Sequence, residues 1–136
     1  MRKLVLAIAS LAVIGCGGDS TGPAGSVAGT WNLQTVNGSP LPYTAVFLAG
    51  PPVYRLEIIS DTFVAAGDGT YTEALTTRET NGTTVTTTTE NDHGTWTQNN
   101  NSVTVTASDG TVSTASISGN TITINEEGLV GVFHRQ

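Results

Sequence analysis

The chain has 136 residues, 12% of them charged and 38% hydrophobic, with five basic against eleven acidic side chains and a formal charge of −6. That balance argues against nucleic acid as a partner, and a lone cysteine, Cys16, excludes an intramolecular disulfide. The length suits a single domain with one modest core.

Arg2 and Lys3 precede an apolar run from Leu4 to Ile14. The run is too short to span a bilayer comfortably and has the layout of a secretory signal. Its end, Val13-Ile14-Gly15-Cys16, resembles the lipobox of bacterial lipoproteins. The resemblance implies cleavage before Cys16, lipidation of its sulfur, and a membrane anchor worth about 0.8 kcal/mol per buried methylene. Gly17 stands where an Asp would imply inner-membrane retention, so the resemblance implies an exported protein held in the cell envelope, at the outer membrane rather than the inner. Loss of residues 1–15 leaves Arg55, Arg78 and Arg135 against eleven carboxylates, a formal charge of −8. Residues 17–26, rich in Gly and Ser, read as a flexible tether. The expected division is a signal peptide over 1–15, lipidated Cys16 and tether over 16–26, and a folded domain over 27–136.

That domain carries no convincing helical stripe. Threonine-rich runs of β-branched and aromatic residues alternate with polar ones between Gly, Asn and Asp turn signals, predicting an all-β antiparallel fold. The first strand covers Gly29–Val36 with Trp31 and Leu33 on one face. Residues 53–60 put Tyr54, Leu56 and Ile58 on one face and Arg55 and Glu57 on the other; 61–66 present Phe63 and Ala65. Tyr71 and Leu75 share a face over 70–80, and Asn81-Gly82 marks a two-residue hairpin. Strands over 83–91, 94–97, 102–107, 111–117, 120–125 and 129–135 complete a count of eight to ten, with Val103 and Val105 inward. Between them, Glu90-Asn-Asp-His-Gly94 reads as a turn, and type I′ turns account for Gly67-Asp-Gly69 and Asp109-Gly110. Short sequential links favour an up-and-down meander, and closure into a small barrel or packing as a two-sheet sandwich would both shield its apolar face.

Gly29-Thr-Trp31, extended as Gly-Thr-Trp-Asn-Leu-Gln-Thr-Val-Asn-Gly-Ser-Pro-Leu-Pro42, resembles the lipocalin-like domains, including short lipocalin-like lipoproteins of bacteria; a second Gly-Thr-Trp recurs at 94–96. The resemblance implies a barrel whose closed end is plugged by Trp31, with Arg135 packed across the indole. It also implies a connection over the open mouth, which falls on residues 38–52. Their four prolines restrict the chain while Tyr43, Phe47 and Leu48 offer apolar surface, so these three are the expected lid. The Thr-Asp-Tyr loop motif of larger lipocalins is missing, as is the Gly-Cys-Asn segment of META-type domains.

No catalytic constellation, metal set or cofactor motif stands out. The cysteine is assigned to lipid, and His93 and His134 are the only histidines. Two readings follow. In one, a small apolar ligand is held in a cavity lined by Leu33, Tyr54, Leu56, Ile58, Phe63, Tyr71 and Leu75. In the other these side chains fill the barrel, and the protein meets an envelope partner through its lid or its threonine-rich strand.

Overall fold

The structure, a computed structural model, describes residues 25–136. The expected signal peptide, Cys16 and the tether through residue 24 lie outside the described residues. Ten strands make up the regular structure of the remainder: β1 Gly29–Val36, β2 Ser39–Pro40, β3 Tyr43–Leu48, β4 Tyr54–Ala65, β5 Thr70–Asn81, β6 Thr84–Asn99, β7 Ser102–Ala107, β8 Val112–Ser118, β9 Thr121–Glu126 and β10 Leu129–Arg135.

From β4 to β10 each strand pairs antiparallel with the next. β10 then pairs with β1, placing Trp31 opposite Arg135 and Leu33 opposite Phe133. β1 completes the circuit by pairing with β4 from Gly29–Ala65 to Asn32–Thr62. Eight strands therefore form a closed barrel, and the sandwich alternative falls away. A closed sheet hides one face and removes its own edges, which suits a chain whose strands carry one apolar face each.

The seam between β1 and β4 is only four residue pairs long. Beyond it β1 turns to β2, while residues 54–58 of β4 pair with β3. With the tip of the β5–β6 hairpin, these strands form an extension standing past one end of the barrel. The segment expected as a lid loop is thus largely strand: its alternating Tyr43-Thr-Ala-Val46 backbone takes the edge that β4 offers. Tyr43 is half-buried, whereas Phe47 and Leu48 are 60% and 59% exposed.

Two further expectations are corrected by pairing. The strands expected over 53–60 and 61–66 are one, with a bulge between Ile58 and Ser60 that lets β4 change partners without ending. The turn expected at Glu90–Gly94 is strand interior, since β6 pairs with β5 continuously from Thr84–Asn81 to Thr95–Thr70. Asn, Asp and Gly are poor strand formers, but a paired neighbour along the whole length overrides that preference.

The hairpins also shift in detail. Asn81 pairs with Thr84, so the tight turn is Gly82-Thr83, and the glycine alone has positive φ, as a type II′ turn needs. At Gly67-Asp-Gly69 the Gly69 amide donates to the Ala66 carbonyl and the Ala66 amide to the Thr70 carbonyl. Gly69 has φ +89°, which makes this a type I turn followed by a left-handed glycine rather than the expected type I′. The Asp109-Gly110 turn repeats the pattern, with Asp68 and Asp109 each accepting from the amide two residues on.

The core sits in one half of the barrel. Trp31, Val103 and Ile117 are 0–1% exposed, and Leu33, Phe63, Tyr71, Ile122 and Phe133 pack around them.

Candidate functional site

The two ends of the barrel differ. At the closed end Arg135 lies 4.2 Å over the Trp31 ring, and the indole donates to the Val27 carbonyl at 2.7 Å. The Arg135 guanidinium also donates to the carbonyls of Ala28, at 2.7 Å, and Ser26. Gln98 accepts from the Val27 amide and donates to the Gly25 carbonyl. Gly25 and Ser26, expected as the last of the tether, are therefore pinned across the barrel base by Gln98 and Arg135. The sulfur-free plug of tryptophan, arginine and backbone carbonyls satisfies its polar atoms while excluding water. Trp96, from the second Gly-Thr-Trp, anchors the β4–β5 hairpin at this end by donating to the Ala66 carbonyl at 3.0 Å.

Toward the open end the inner wall is less complete. Leu75, Ile124 and Leu129 share the inner face with the core by register but are only partly buried. In a closed barrel an inward side chain meets water through the mouth, so these residues mark the less fully packed end. Leu41, Tyr43 and Ile58 pack partly against the core and cover one side of it.

The seven residues expected to line one cavity are divided among three places. Leu33, Phe63 and Tyr71 belong to the packed core, where the Phe63 and Tyr71 ring centroids are 5.2 Å apart. Leu75 stands on the open part of the wall, opposite Asp61. Ile58 lies at the rim, and Leu56 and Tyr54 continue the same face onto the extension, opposite Val46 and Leu48 of β3. They are separated because the first half of β4 pairs with β3 beyond the barrel and the strand joins β1 only from Thr62.

The open half holds carboxylates that sequence reasoning missed. Asp61 of β4 is 92% buried, since only 8% of its surface is exposed. Its neighbours on the inner face are Glu73 of β5 and Asp92 of β6, which are paired in register, and the charge of Glu126 of β9 reaches it across the barrel. Burial, the charge and hydrogen bonding of Glu73, and the charge of Glu126 push the Asp61 carboxyl up to about 9. Burial, followed by Glu126 and Asp92, also raises Glu73, against the lowering effect of its hydrogen bond with Asp61. Tyr71 donates to Asp92 at 3.0 Å, and burial with that contact holds the phenol well above its usual range. Oδ1 of Asp61 has no hydrogen-bond partner among the described residues.

The signal for these acids was the period-two rule itself. If Tyr71 and Leu75 face inward, Glu73 between them must as well; if Phe63 and Ala65 do, so must Asp61. Asp92 and His93 point to opposite faces as successive strand residues, and His93 is exposed. Among the described residues no group of three His, Cys, Asp or Glu side chains is placed to hold a metal ion. An open depression of about 610 Å³ lies elsewhere, on the wall around Asn99, Thr114, Ser116 and Asn125, and it holds no charged side chain.

A closed antiparallel eight-stranded barrel with a tryptophan–arginine plug at one end is the architecture of the small up-and-down barrels. The chain belongs to the lipocalin-like domain family, whose family model matches residues 27–131. No curated protein and no solved structure matches it.

Proposed function

We propose that this chain is a lipid-anchored lipoprotein of the cell envelope, at the outer membrane rather than the inner, whose barrel holds a small ligand with an apolar body in its open half. It acts by binding and not by catalysis. The observation that carries the reading is the two-tiered inner wall: Trp31, Val103 and Ile117 are fully packed, whereas Leu75, Ile124 and Leu129 face the same interior and are only partly buried, the last two packing against the edge of the core. The apolar surface left exposed on an inner wall is what an apolar ligand buries. Anchoring rests on the Gly15-Cys16 lipobox and the apolar run before it.

The test is uptake of a neutral, environment-sensitive naphthylamine dye by the purified protein. Fluorescence enhancement that saturates at one dye per chain, and that Leu75→Trp abolishes while thermal unfolding is unchanged, supports the reading. Absence of saturable enhancement in the wild type, or full enhancement in Leu75→Trp, refutes it.

A second reading has its own observation. β6 pairs with β7 only from Gly94 to Asn99, so its outer edge from Thr84 to Asp92 has no strand partner among the described residues. On the extension, Phe47, Arg55, Thr80 and Val85 form one cross-strand row, with Phe47 and Val85 each 60% exposed. An unpaired edge beside exposed apolar side chains suits addition of a strand from an envelope partner. Crosslinking from a photoreactive residue at position 85 in intact cells tests it: a single protein adduct supports the reading, and no adduct removes it.

A further inference from the structure

We propose that the open half of the barrel is a site for a small organic ammonium ion with an apolar body, with Asp61 and Glu73 as its anchoring carboxylates. The inference rests on the reading above that this half receives a ligand, and it adds the ligand's charge.

Three observations lead to it. The first is convergence: Asp61, Glu73, Asp92 and Glu126 come from four different strands and interact through their charges across one space. The second is the lack of any cation of the described chain to meet them. Arg135 is held over Trp31 at the far end, and Arg78 and Arg55 lie on the outer face of the extension, 2.9 and 3.6 Å from Glu57. His93 and His134 are exposed. The third is the Asp61 side chain, 92% buried, whose Oδ1 accepts from nothing among the described residues. Buried acceptors are almost always satisfied, so an orphan oxygen pointed into an acidic space marks a missing donor.

The chemistry of that donor follows from the walls. Among the described residues no three carboxylates are placed to coordinate a metal ion. The surroundings are apolar, with Leu75 directly opposite Asp61 and Leu129 and Ile124 on the facing wall. An ammonium bearing N–H groups gives Oδ1 its donor, gives Glu73 a counter-charge, and lays its hydrocarbon on these side chains. Tyr71 is already engaged by Asp92 and does not compete.

Without the ligand, the cluster relieves its repulsion by keeping a proton on Asp61, whose carboxyl burial and the acids around it raise. The groups facing it are Glu73 and Tyr71 on β5, Glu90 and Asp92 on β6, and Glu126 on β9; Asp109, in the β7–β8 turn, acts on Tyr71. An arriving ammonium takes the place of that proton, which leaves to solvent, so charge is balanced within the site and one proton is released per ligand bound.

Calorimetry of the purified protein with octylammonium, 1-octanol and octanoate, which share a hydrocarbon and differ in charge, tests the proposal. Near neutral pH octylammonium is expected to bind about tenfold or more tighter than octanol. Its heat should vary with the ionisation enthalpy of the buffer, reporting the released proton. Asp61→Asn and Glu73→Gln should each cut octylammonium affinity about tenfold and leave octanol unchanged, with unfolding curves showing that both variants fold. Equal binding of octylammonium and octanol, or preference for octanoate, overturns the charge proposal and leaves the ligand reading standing. Failure of all three probes to bind overturns both.

Discussion

Replacing Asp61 with asparagine should make the domain more stable, and by an amount that grows with pH. In the folded barrel the Asp61 carboxyl keeps its proton up to about pH 9, whereas in the unfolded chain it gives the proton up near the model-compound value of 3.8. Between those limits the folded state binds a proton that the unfolded state does not, so stability falls as pH rises, at up to ~1.4 kcal/mol per pH unit. From about pH 5 to about pH 8 the wild type should lose ~4 kcal/mol, a large share of what holds a domain of this size. Asparagine keeps the shape, has no proton to retain, and can donate to Glu73. At about pH 8 Asp61→Asn should therefore exceed the wild type by several kcal/mol, on the order of 3 to 4. A shallower fall persists in the variant because Glu73 is raised too. Glu57 and Asp68, lowered by Arg78 and by Thr70, act in the opposite sense; their contribution disappears only as pH drops below the ordinary carboxylate range. Urea unfolding followed by tryptophan fluorescence across this pH span measures the slope. A wild type whose stability is flat or rising from about pH 5 to 8, or a variant with the wild-type slope, would refute the buried-proton argument.

Other substitutions probe the rest of the barrel. A methyl group at Gly94 lands on the Thr106 carbonyl oxygen and within 2.9 Å of the Tyr71 ring, so Gly94→Ala should cost ~3 kcal/mol in urea unfolding; a loss under about 0.5 would show that the sheet relaxes there. Arg135→Ala removes the stacked cation and both carbonyl contacts at the base, and should cost ~2 kcal/mol and open the 25–28 segment to protease; unchanged cleavage would contradict its role as a clasp. Trp31→Phe keeps most of the packing but deletes the donor to the Val27 carbonyl, for an expected loss of ~2 kcal/mol by chemical denaturation. Cys16→Ser should leave an uncleaved precursor that takes up no labelled palmitate; processing that continues would remove the lipobox assignment.

Much of the barrel could be read from alternation. Trp31 and Leu33, Phe63 and Ala65, and Val103 and Val105 all face inward as their spacing required, and Arg135 meets Trp31 as the family resemblance implied. What spacing could not convey was pairing. The bulge at Ile58–Ser60, where β4 passes from β3 to β1, has no sequence signature, so alternation alone places Tyr54 and Leu56 in an interior that they lie beyond. Glu90–Gly94 looked like a turn because its residues favour turns, and only the neighbouring Glu73 and Tyr71 backbone makes it strand. The acidic cluster is legible in principle, since parity turns Asp61 and Glu73 inward, but it runs against the rule that charged residues are rarely buried.

The strap from Gly25 to Ala28 enters the molecule beneath Trp31, at the plugged base, and this fixes a polarity. Cys16 lies nine residues before Gly25, and nine peptide steps reach at most about 32 Å when fully extended. Under the proposed anchoring, the barrel stands on the lipid surface like a cup on its foot, its carboxylate-lined rim and strand extension turned to the aqueous side. Exchange with the interior would then be with molecules dissolved in the surrounding compartment, and the bilayer would serve as a floor and not a source.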